Sequence, residues 1–123
     1  MIGYSPKPNG RPDPGEVVWA WVPFEEDPRQ GKDRPVLLIG RAGRLLLAVP
    51  LTSQDREGRR DVVKWVDVGF GAWDRRARPS HANASRLLRY KVRQVRREGA
   101  TLPRDRFDAV VARARQLHPD LLG

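Results

Sequence analysis

The sequence predicts a mainly β domain, folded as a small, partly open barrel or strongly bent sheet and followed by one C-terminal α-helix. Five or six short runs of strand-forming residues are separated by loops rich in glycine, proline or charge, and a single amphipathic helical pattern follows them. A chain of 123 residues has room for one hydrophobic core. We therefore expect a flexible Pro- and Gly-rich arm at 1–15 and a single domain at 16–123.

The first half of the chain predicts three strands. Residues 17–22 combine β-branched and aromatic side chains over the length of one strand and end at Pro23. Residues 25–34 are charged and lack apolar periodicity, so they are expected to form a loop, where function often concentrates. The apolar runs 35–40 and 45–49 are close enough in sequence to pair as a central hairpin.

The second half predicts shorter strands and the helix. Residues 62–66 are β-formers, and residues 86–92 alternate apolar and basic side chains as a half-exposed strand with a cationic face would. A helix is expected between Pro103, which suits a first helical position, and Pro119, which blocks extension. Its apolar residues share one face and predict core packing: Phe107, Val110, Val111, Ala114 and Leu117.

The charge of the chain indicates a polyanionic partner. Twenty-four Lys plus Arg against fifteen Asp plus Glu leave a formal net charge of +9. Arginine can accumulate on solvated surfaces in any protein from a GC-rich genome, so the total alone decides little. Clustering decides more, because grouped charges create a field that scattered charges do not. Eight basic residues fall within residues 86 to 106: Arg86, Arg89, Lys91, Arg93, Arg96, Arg97, Arg104 and Arg106.

Composition also excludes several classes of site. The chain has no cysteine, which removes disulfides and thiolate metal sites and favours a reducing cytoplasm. It shows neither a signal peptide nor an apolar run of membrane-spanning length, so we expect a soluble cytoplasmic protein. His81 and His118 lie far apart in sequence, and the glycines around Phe70 lack the pattern of a phosphate loop. We expect neither a metal nor a cofactor.

Two segments resemble the signature motifs of a known family. Residues 30–39, Gln-Gly-Lys-Asp-Arg-Pro followed by four apolar residues, are similar to the basic loop ending Arg-Pro before an apolar strand in the MazF/PemK toxins. Residues 49–53, Val-Pro-Leu-Thr-Ser, resemble that family's Pro-x-Thr motif at the end of the next strand. Residues 14–19 resemble the family's first strand, and the order and spacing match over 14 to about 117.

The resemblance implies a fold, an activity and partners. The fold would be an SH3-like barrel that forms a homodimer. The activity would be that of a type II toxin that cleaves single-stranded RNA at short sequences, without metal, to 2′,3′-cyclic phosphate and 5′-hydroxyl ends. A separate acidic antitoxin would inhibit it by covering the cationic groove. The family's catalytic arginine and threonine correspond to Arg34 and Thr52.

The chemistry of these residues suits that reaction. Attack by a neighbouring 2′-hydroxyl already has its nucleophile in place, so the step mainly needs charge stabilisation. Arg34 can donate two parallel hydrogen bonds to phosphate oxygens, and Thr52 can add a hydroxyl. Each also has a plain structural interpretation, as a surface arginine before a strand and a strand-end threonine bonded to backbone.

Substrate contacts are predicted around the two motifs and along the later basic segment. Bases of single-stranded RNA stack on aromatic or arginine side chains, and among the tryptophans the loop residue Trp73 is favoured over Trp19 and Trp21, which alternate within a strand. The full set of predicted substrate-binding residues is Gln30, Lys32, Ser53, Gln54, Trp73, Arg86 and Arg89.

Two departures from the family pattern leave alternatives open. Asp33 stands directly before Arg34, where the family usually has a basic residue, and an Asp33–Arg34 pair would compete with phosphate. Many relatives have an acidic residue near the position of Ser85, and this chain has none there.

Two alternatives to a nuclease stay open. A non-catalytic nucleic-acid-binding barrel would retain steeply salt-dependent affinity but make no products. A peptide-binding scaffold module would show no nucleic-acid affinity.

Overall fold

A computed structural model describes residues 2–6, 12–53, 62–96 and 100–122. Seven strands precede the C-terminal helical segment: β1 (Val17–Pro23), β2 (Gly31–Ala42), β3 (Leu45–Thr52), β4 (Trp65–Gly69), β5 (Ser80–Asn83), β6 (Leu88–Tyr90) and β7 (Val95–Arg96). The helices are α1 (Arg104–Leu117) and α2 (Pro119–Leu122), with 3₁₀ turns at Val62–Lys64 and Val92–Gln94.

All seven strands join one antiparallel sheet in the order β4-β5-β3-β2-β1-β7. The far edge of β3 is shared, because β6 pairs with its first half and β5 with its end. Among the described residues, β4 and β7 lie at the two ends of the order and do not pair with each other, so the sheet is not closed. The mainly β fold with one C-terminal helix is confirmed, in its partly open form.

Each face of the sheet has its own apolar cluster, because successive side chains of a strand point to opposite faces. The helix-side cluster includes Leu37, Val49 and Leu51 and packs beneath Phe107 and Val110 of α1. The second cluster lies on the opposite face and consists of Val18, Ala20, Val22, Val36, Leu38, Leu46, Ala48 and Tyr90. The central strands β2 and β3 are thus buried on both sides, which is typical of strands with continuous apolar runs.

The helix confirms its predicted face. Phe107, Val110, Val111 and Ala114 are buried, and Leu117 packs at the margin of the helix-side cluster. Pro103 takes the N-cap position rather than the first helical position, and α1 ends before Pro119 begins the short α2.

Three segments differ from the sequence prediction, and one of them, the strand predicted at 86–92, is confined to Leu88–Tyr90. The loop predicted at 25–34 is shorter, because β2 already begins at Gly31 and pairs Gly31 through Arg34 with β1. Polar side chains can occupy strand positions near a sheet edge, since only the backbone must pair, so charge alone does not indicate a loop. The strand predicted at 62–66 begins later, at Trp65, after the turn at Val62–Lys64.

The described part of the N-terminal arm lies against the domain. The Ile2 backbone bridges to Gly40, and the Tyr4 hydroxyl donates to the Leu102 carbonyl oxygen over 2.8 Å. The Tyr4 ring meets Phe107 edge-on, with centroids 5.1 Å apart. The flexibility of the arm stays a prediction. A protease that cuts the arm would have to disrupt these contacts.

Candidate active site

Arg34 and Thr52 come together at the ends of two neighbouring strands. Val36 of β2 pairs with Pro50 of β3 in antiparallel register. Arg34 lies two residues before Val36 and Thr52 lies two residues after Pro50, so the same register brings these two residues together. Because side chains alternate with a period of two, both leave the same face of the sheet. Arg34 is half-buried and Thr52 is buried, with 8% of its surface exposed. The two predicted catalytic residues therefore share one location.

A wide groove runs past these two residues, and we call it the arginine groove. It has a volume of about 880 Å³. Six cationic and two acidic side chains are among its lining residues. The lining comprises Trp19, Lys32, Asp33, Arg34, Pro35, Leu51, Thr52, Ser53, Ala72, Trp73, Asp74, Arg75, Arg76, Arg78, Ser80 and Arg96.

The loop between β4 and β5 brings three arginines to the arginine groove, and Asp74 organises it. The Asp74 carboxylate accepts from Arg78 Nε over 2.8 Å and from the Arg76 backbone over 2.9 Å. The hydrogen bond from Arg78 is the main cause that lowers the pKa of Asp74 below its usual value. The loop thus holds one arginine by an ion pair and projects Arg75 and Arg76 outward as exposed cations.

Trp73 anchors this loop and does not offer its ring to solvent. Only 3% of its surface is exposed, and its indole Nε1 donates to Ser80 Oγ over 3.0 Å. A Cβ at Gly71 would collide with the Trp73 ring, so glycine is needed for the tryptophan to fold inward. We expected a loop tryptophan available for base stacking; that expectation was wrong, because the indole instead fills the helix-side cluster.

Asp33 engages a different arginine from the one that sequence proximity suggested. Its carboxylate accepts from both terminal nitrogens of Arg96 on β7, one of them over 3.2 Å. Neighbouring residues on a strand point to opposite faces, so Asp33 and Arg34 diverge. The Asp33–Arg96 pair joins β2 to the end of the sheet across β1.

A second, smaller cavity is also lined by Arg34 and Thr52, and we call it the side pocket. Its volume is about 300 Å³. Aromatic, amide and charged side chains surround it: Pro23, Phe24, Glu25, Glu26, Arg34, Pro50, Leu51, Thr52, Lys64, Trp65, Asn83 and Arg86. Arg86, a predicted substrate contact, lies here and donates to the Pro23 carbonyl oxygen, which ties β1 to the segment after β5.

The remaining predicted contacts divide between these cavities and other places. Lys32 and Ser53 line the arginine groove. Gln30 is exposed at the end of the β1–β2 loop and is not part of either lining. Arg89 lies on a separate cavity of about 390 Å³ near Leu121, away from Arg34. Gln54 lies outside the described residues.

His81 lies next to Thr52 across the β3–β5 pairing. Its Nδ1 is buried and has no hydrogen-bond partner within the described ranges. The pairing register places this histidine beside the predicted catalytic threonine.

Sequence reasoning missed part of the site. Arg75, Arg76 and Arg78 form the exposed wall of the arginine groove, and their Arg-Arg-x-Arg spacing could have signalled it. Asn83 and Trp65 carry no local signal, because only the β4–β5 register brings them opposite each other.

Two kinds of feature are absent from residues 2–6, 12–53, 62–96 and 100–122. Within them, no group of three His, Cys, Asp or Glu side chains could hold a metal ion. No helix in those ranges is long and apolar enough to cross a membrane.

Solved structures share this fold. A MazF structure from Deinococcus radiodurans superposes with a TM-score of 0.67 at 22% identity, covering 90% of this chain and 99% of that one. A MazE–MazF structure from the same organism gives 0.62 at 20% identity, covering 89% and 96%. Mycobacterium tuberculosis toxin MazF-mt6 gives 0.60 at 16% identity, covering 85% and 96%. The chain has a MazF-like fold.

The sequence itself shows the family. The model of the family described as the PemK-like, MazF-like toxin of type II toxin–antitoxin systems matches residues 13–118. The chain belongs to this family. No curated protein matches the sequence at a significant level.

Proposed function

We propose that this chain is the toxin of a type II toxin–antitoxin system and acts as a metal-independent, sequence-specific endoribonuclease. It would cleave single-stranded RNA to 2′,3′-cyclic phosphate and 5′-hydroxyl ends. The observation that carries the proposal is the convergence of Arg34 and Thr52 on one face of the sheet, where the arginine groove and the side pocket meet.

The reaction needs little beyond what these residues supply. The 2′-hydroxyl next to the scissile phosphate would attack phosphorus and release its proton to water, while the P–O5′ bond breaks and the leaving 5′-oxygen takes a proton from water. Arg34 would donate two hydrogen bonds to the phosphorane oxygens and balance their growing charge, since its guanidinium stays charged at every physiological pH. The Thr52 hydroxyl would orient the same phosphate. Such preorganised donors commonly provide the largest catalytic effect.

The arginine groove would hold the RNA backbone. Arg75 and Arg76 are exposed, whereas Arg78 and Arg96 are paired with Asp74 and Asp33. Exposed arginines can exchange water and counterions for phosphates, so they would supply most of the salt-dependent affinity. Lys32 and Ser53 lie in the same lining as Arg34 and would contact the nucleotides flanking the cut.

The partners follow from the same surface. A homodimer acting in the cytoplasm is proposed, and its inhibitor would be an antitoxin with an acidic segment that covers the arginine groove. An acidic disordered segment can fold on a cationic groove, and the net charge of +9 would accelerate the encounter. A D. radiodurans structure of the same fold holds MazE together with MazF, which supports an antitoxin partner.

The test is cleavage of a long single-stranded RNA by the purified chain in excess EDTA, with the cut ends mapped. We expect discrete products with 5′-hydroxyl ends from the wild type and none from Arg34→Ala. Arg115→Ala is the matched control, because Arg115 is exposed on α1 and lines neither the arginine groove nor the side pocket.

Two outcomes would contradict the proposal. Equal cleavage by wild type and Arg34→Ala would show a contaminating nuclease or a different site. Intact RNA that still shifts on a gel would identify a non-catalytic nucleic-acid-binding barrel.

A further inference from the structure

We propose that the side pocket binds one base of the RNA and selects a keto base, uracil or guanine, through the amide of Asn83. This inference rests on the proposed function, because it assigns the base next to the phosphate that Arg34 and Thr52 would hold. It goes beyond that function by naming the residue that reads the base and the chemical class that is read.

The pocket is suited to a flat aromatic ligand. Its volume of about 300 Å³ is at the small end of ligand sites and fits a single base better than a larger group. Phe24 and Trp65 supply aromatic surface, and Pro23 and Pro50 supply flat apolar surface. Lys64 Nζ lies 5.4 Å from the Trp65 ring centroid. A base in this pocket would have aromatic stacking partners, as in most single-strand RNA sites.

Asn83 has a fixed orientation, and this decides what it can read. Its Oδ1 accepts from the Ser85 backbone N–H over 3.1 Å and from the Ser85 hydroxyl over 2.6 Å. A backbone N–H can only donate, so the oxygen of the amide must face Ser85. The Nδ2 group, with its two donors, therefore faces away from Ser85.

Burial and backbone hydrogen bonds also hold Asn83 in place. It is 4% exposed, and it lies directly opposite Trp65 in the β4–β5 pairing, so both side chains leave the same face of the sheet. The Asn83 carbonyl accepts from the Arg86 backbone N–H over 3.3 Å, and Arg86 in turn donates to Pro23. The amide is thus a preorganised donor in the pocket wall rather than a mobile side chain.

The same pocket also contains hydrogen-bond acceptors. Glu25 and Glu26 line it from the β1–β2 loop, and carboxylates only accept when ionised. A donor from Asn83 and an acceptor from a glutamate together match a base edge that has a carbonyl oxygen beside a ring N–H. Uracil and guanine have that edge. Cytosine and adenine present an amino group beside an unprotonated ring nitrogen, so their donor would meet the donor of Asn83.

The experiment separates base selection from cleavage by using four nucleotides as probes: uridine, guanosine, cytidine and adenosine 3′-monophosphates. Their affinities for the full chain are measured by NMR titration of the backbone amides near Asn83. We expect the keto nucleotides to bind about tenfold tighter, because a misplaced donor leaves a buried polar group unsatisfied.

Variants test the assigned residue. Asn83→Asp keeps the shape and the acceptor for Ser85 but replaces the Nδ2 donor with an acceptor, so the preference should move toward cytosine and adenine. Gln116→Glu makes the same change of charge on the exposed face of α1 and should leave the preference unchanged. Replacing both glutamates, Glu25→Gln with Glu26→Gln, should reduce the tenfold difference.

The outcomes are distinguishable. Equal affinity for all four nucleotides, or an unchanged order in Asn83→Asp with a native fold, would overturn the base pocket even if the wild type cuts RNA. Intact RNA with a keto preference that Asn83→Asp reverses would overturn the nuclease and keep the pocket. Cut sites that shift from keto to amino bases in Asn83→Asp would support both.

Discussion

The arginine groove and the side pocket meet at Arg34 and Thr52 but are built in different ways. The groove is wide, strongly cationic and bordered by the β4–β5 loop, which carries exposed arginines. The pocket is small, lined by aromatic and amide groups of both polarities, and formed mainly by strand ends held in register. The first suits a repeating backbone charge and the second suits one base.

A small sheet can in this way separate affinity from specificity. Alternation along β2 and β3 sends neighbouring side chains to opposite faces, so the ends of two strands can border two unlike cavities. Arg34 and Thr52 line both. A phosphate at that border would have its backbone neighbours in the arginine groove and its base in the side pocket.

The largest effect is expected at the border itself. Arg34→Ala should lower the RNA cleavage rate by about 100- to 1,000-fold, because it would remove the proposed main donor to the transition state. Arg34→Lys should recover only part of the rate, since lysine keeps the charge but loses the paired hydrogen bonds. Single-turnover kinetics with an end-labelled RNA measures both, and circular dichroism checks the fold. Similar rates for the lysine and alanine variants would show that charge contributes little.

A structural change should damage the groove and spare the pocket. Gly71→Ala would push a methyl group against the Trp73 ring, so we expect the free energy of unfolding to fall by about 1–3 kcal/mol. Urea denaturation measures the loss, and RNA affinity should fall with it. Gly3→Ala is the control, because nothing lies within 4 Å of a Cβ there. Equal stability of the two variants would show that the Trp73 anchor is dispensable.

The exposed arginines should affect affinity without affecting sequence choice. Arg75→Gln with Arg76→Gln should reduce the slope of log affinity against log salt by about 0.7 for each phosphate that is no longer neutralised. The sequences at the cut sites should stay the same, because the side pocket is unaltered. Filter binding across a salt series and sequencing of the products provide the two readouts. A changed cut-site sequence would break the proposed division between the two cavities.

The smallest effect concerns the second apolar cluster, on the face of the sheet opposite α1. The Tyr90 hydroxyl donates to the Trp21 carbonyl oxygen over 2.9 Å, and burial raises the pKa of Tyr90 from 10.0 to about 12. Because the folded state holds this proton more tightly than the unfolded state, the stabilisation is complete below pH 10 and is lost as the pH rises toward 12.

Thermal unfolding across this alkaline range measures that loss. Tyr90→Phe should remove the part of the alkaline loss of stability that comes from ionisation of Tyr90. It should also lower the free energy of unfolding by about 1 kcal/mol at neutral pH. An identical alkaline decline in wild type and Tyr90→Phe would assign the effect to other groups.

Much of the fold could be predicted from local patterns. The runs at 35–40 and 45–49 predicted the central hairpin, and the stripe from Phe107 to Ala114 predicted the buried face of α1. These predictions succeed because burial imposes a period of two on strands and 3.6 on helices, and that period is visible in the sequence. The start of β2 at Gly31 could not be predicted, because pairing with Pro23 decides it.

The family motifs, the net positive charge and the choice of Arg34 and Thr52 as catalytic candidates follow from the amino-acid sequence without the fold. The candidates could be chosen because each motif is contiguous along the chain. Only the tertiary structure decided that these two residues lie on one face, and that Asn83 and Trp65 lie together in a pocket beside them.

Tertiary packing also decided the environment of Trp73. Its position in a loop between glycine and arginine residues predicted an exposed ring, but burying that large ring stabilises the domain more than leaving it in water. Whether a side chain is buried or available depends on what lies across from it, and residues across a sheet are set by register and long-range pairing. Local sequence contains that information only for partners within a few residues. It therefore indicated the candidate catalytic residues, and the fold decided which residues surround them.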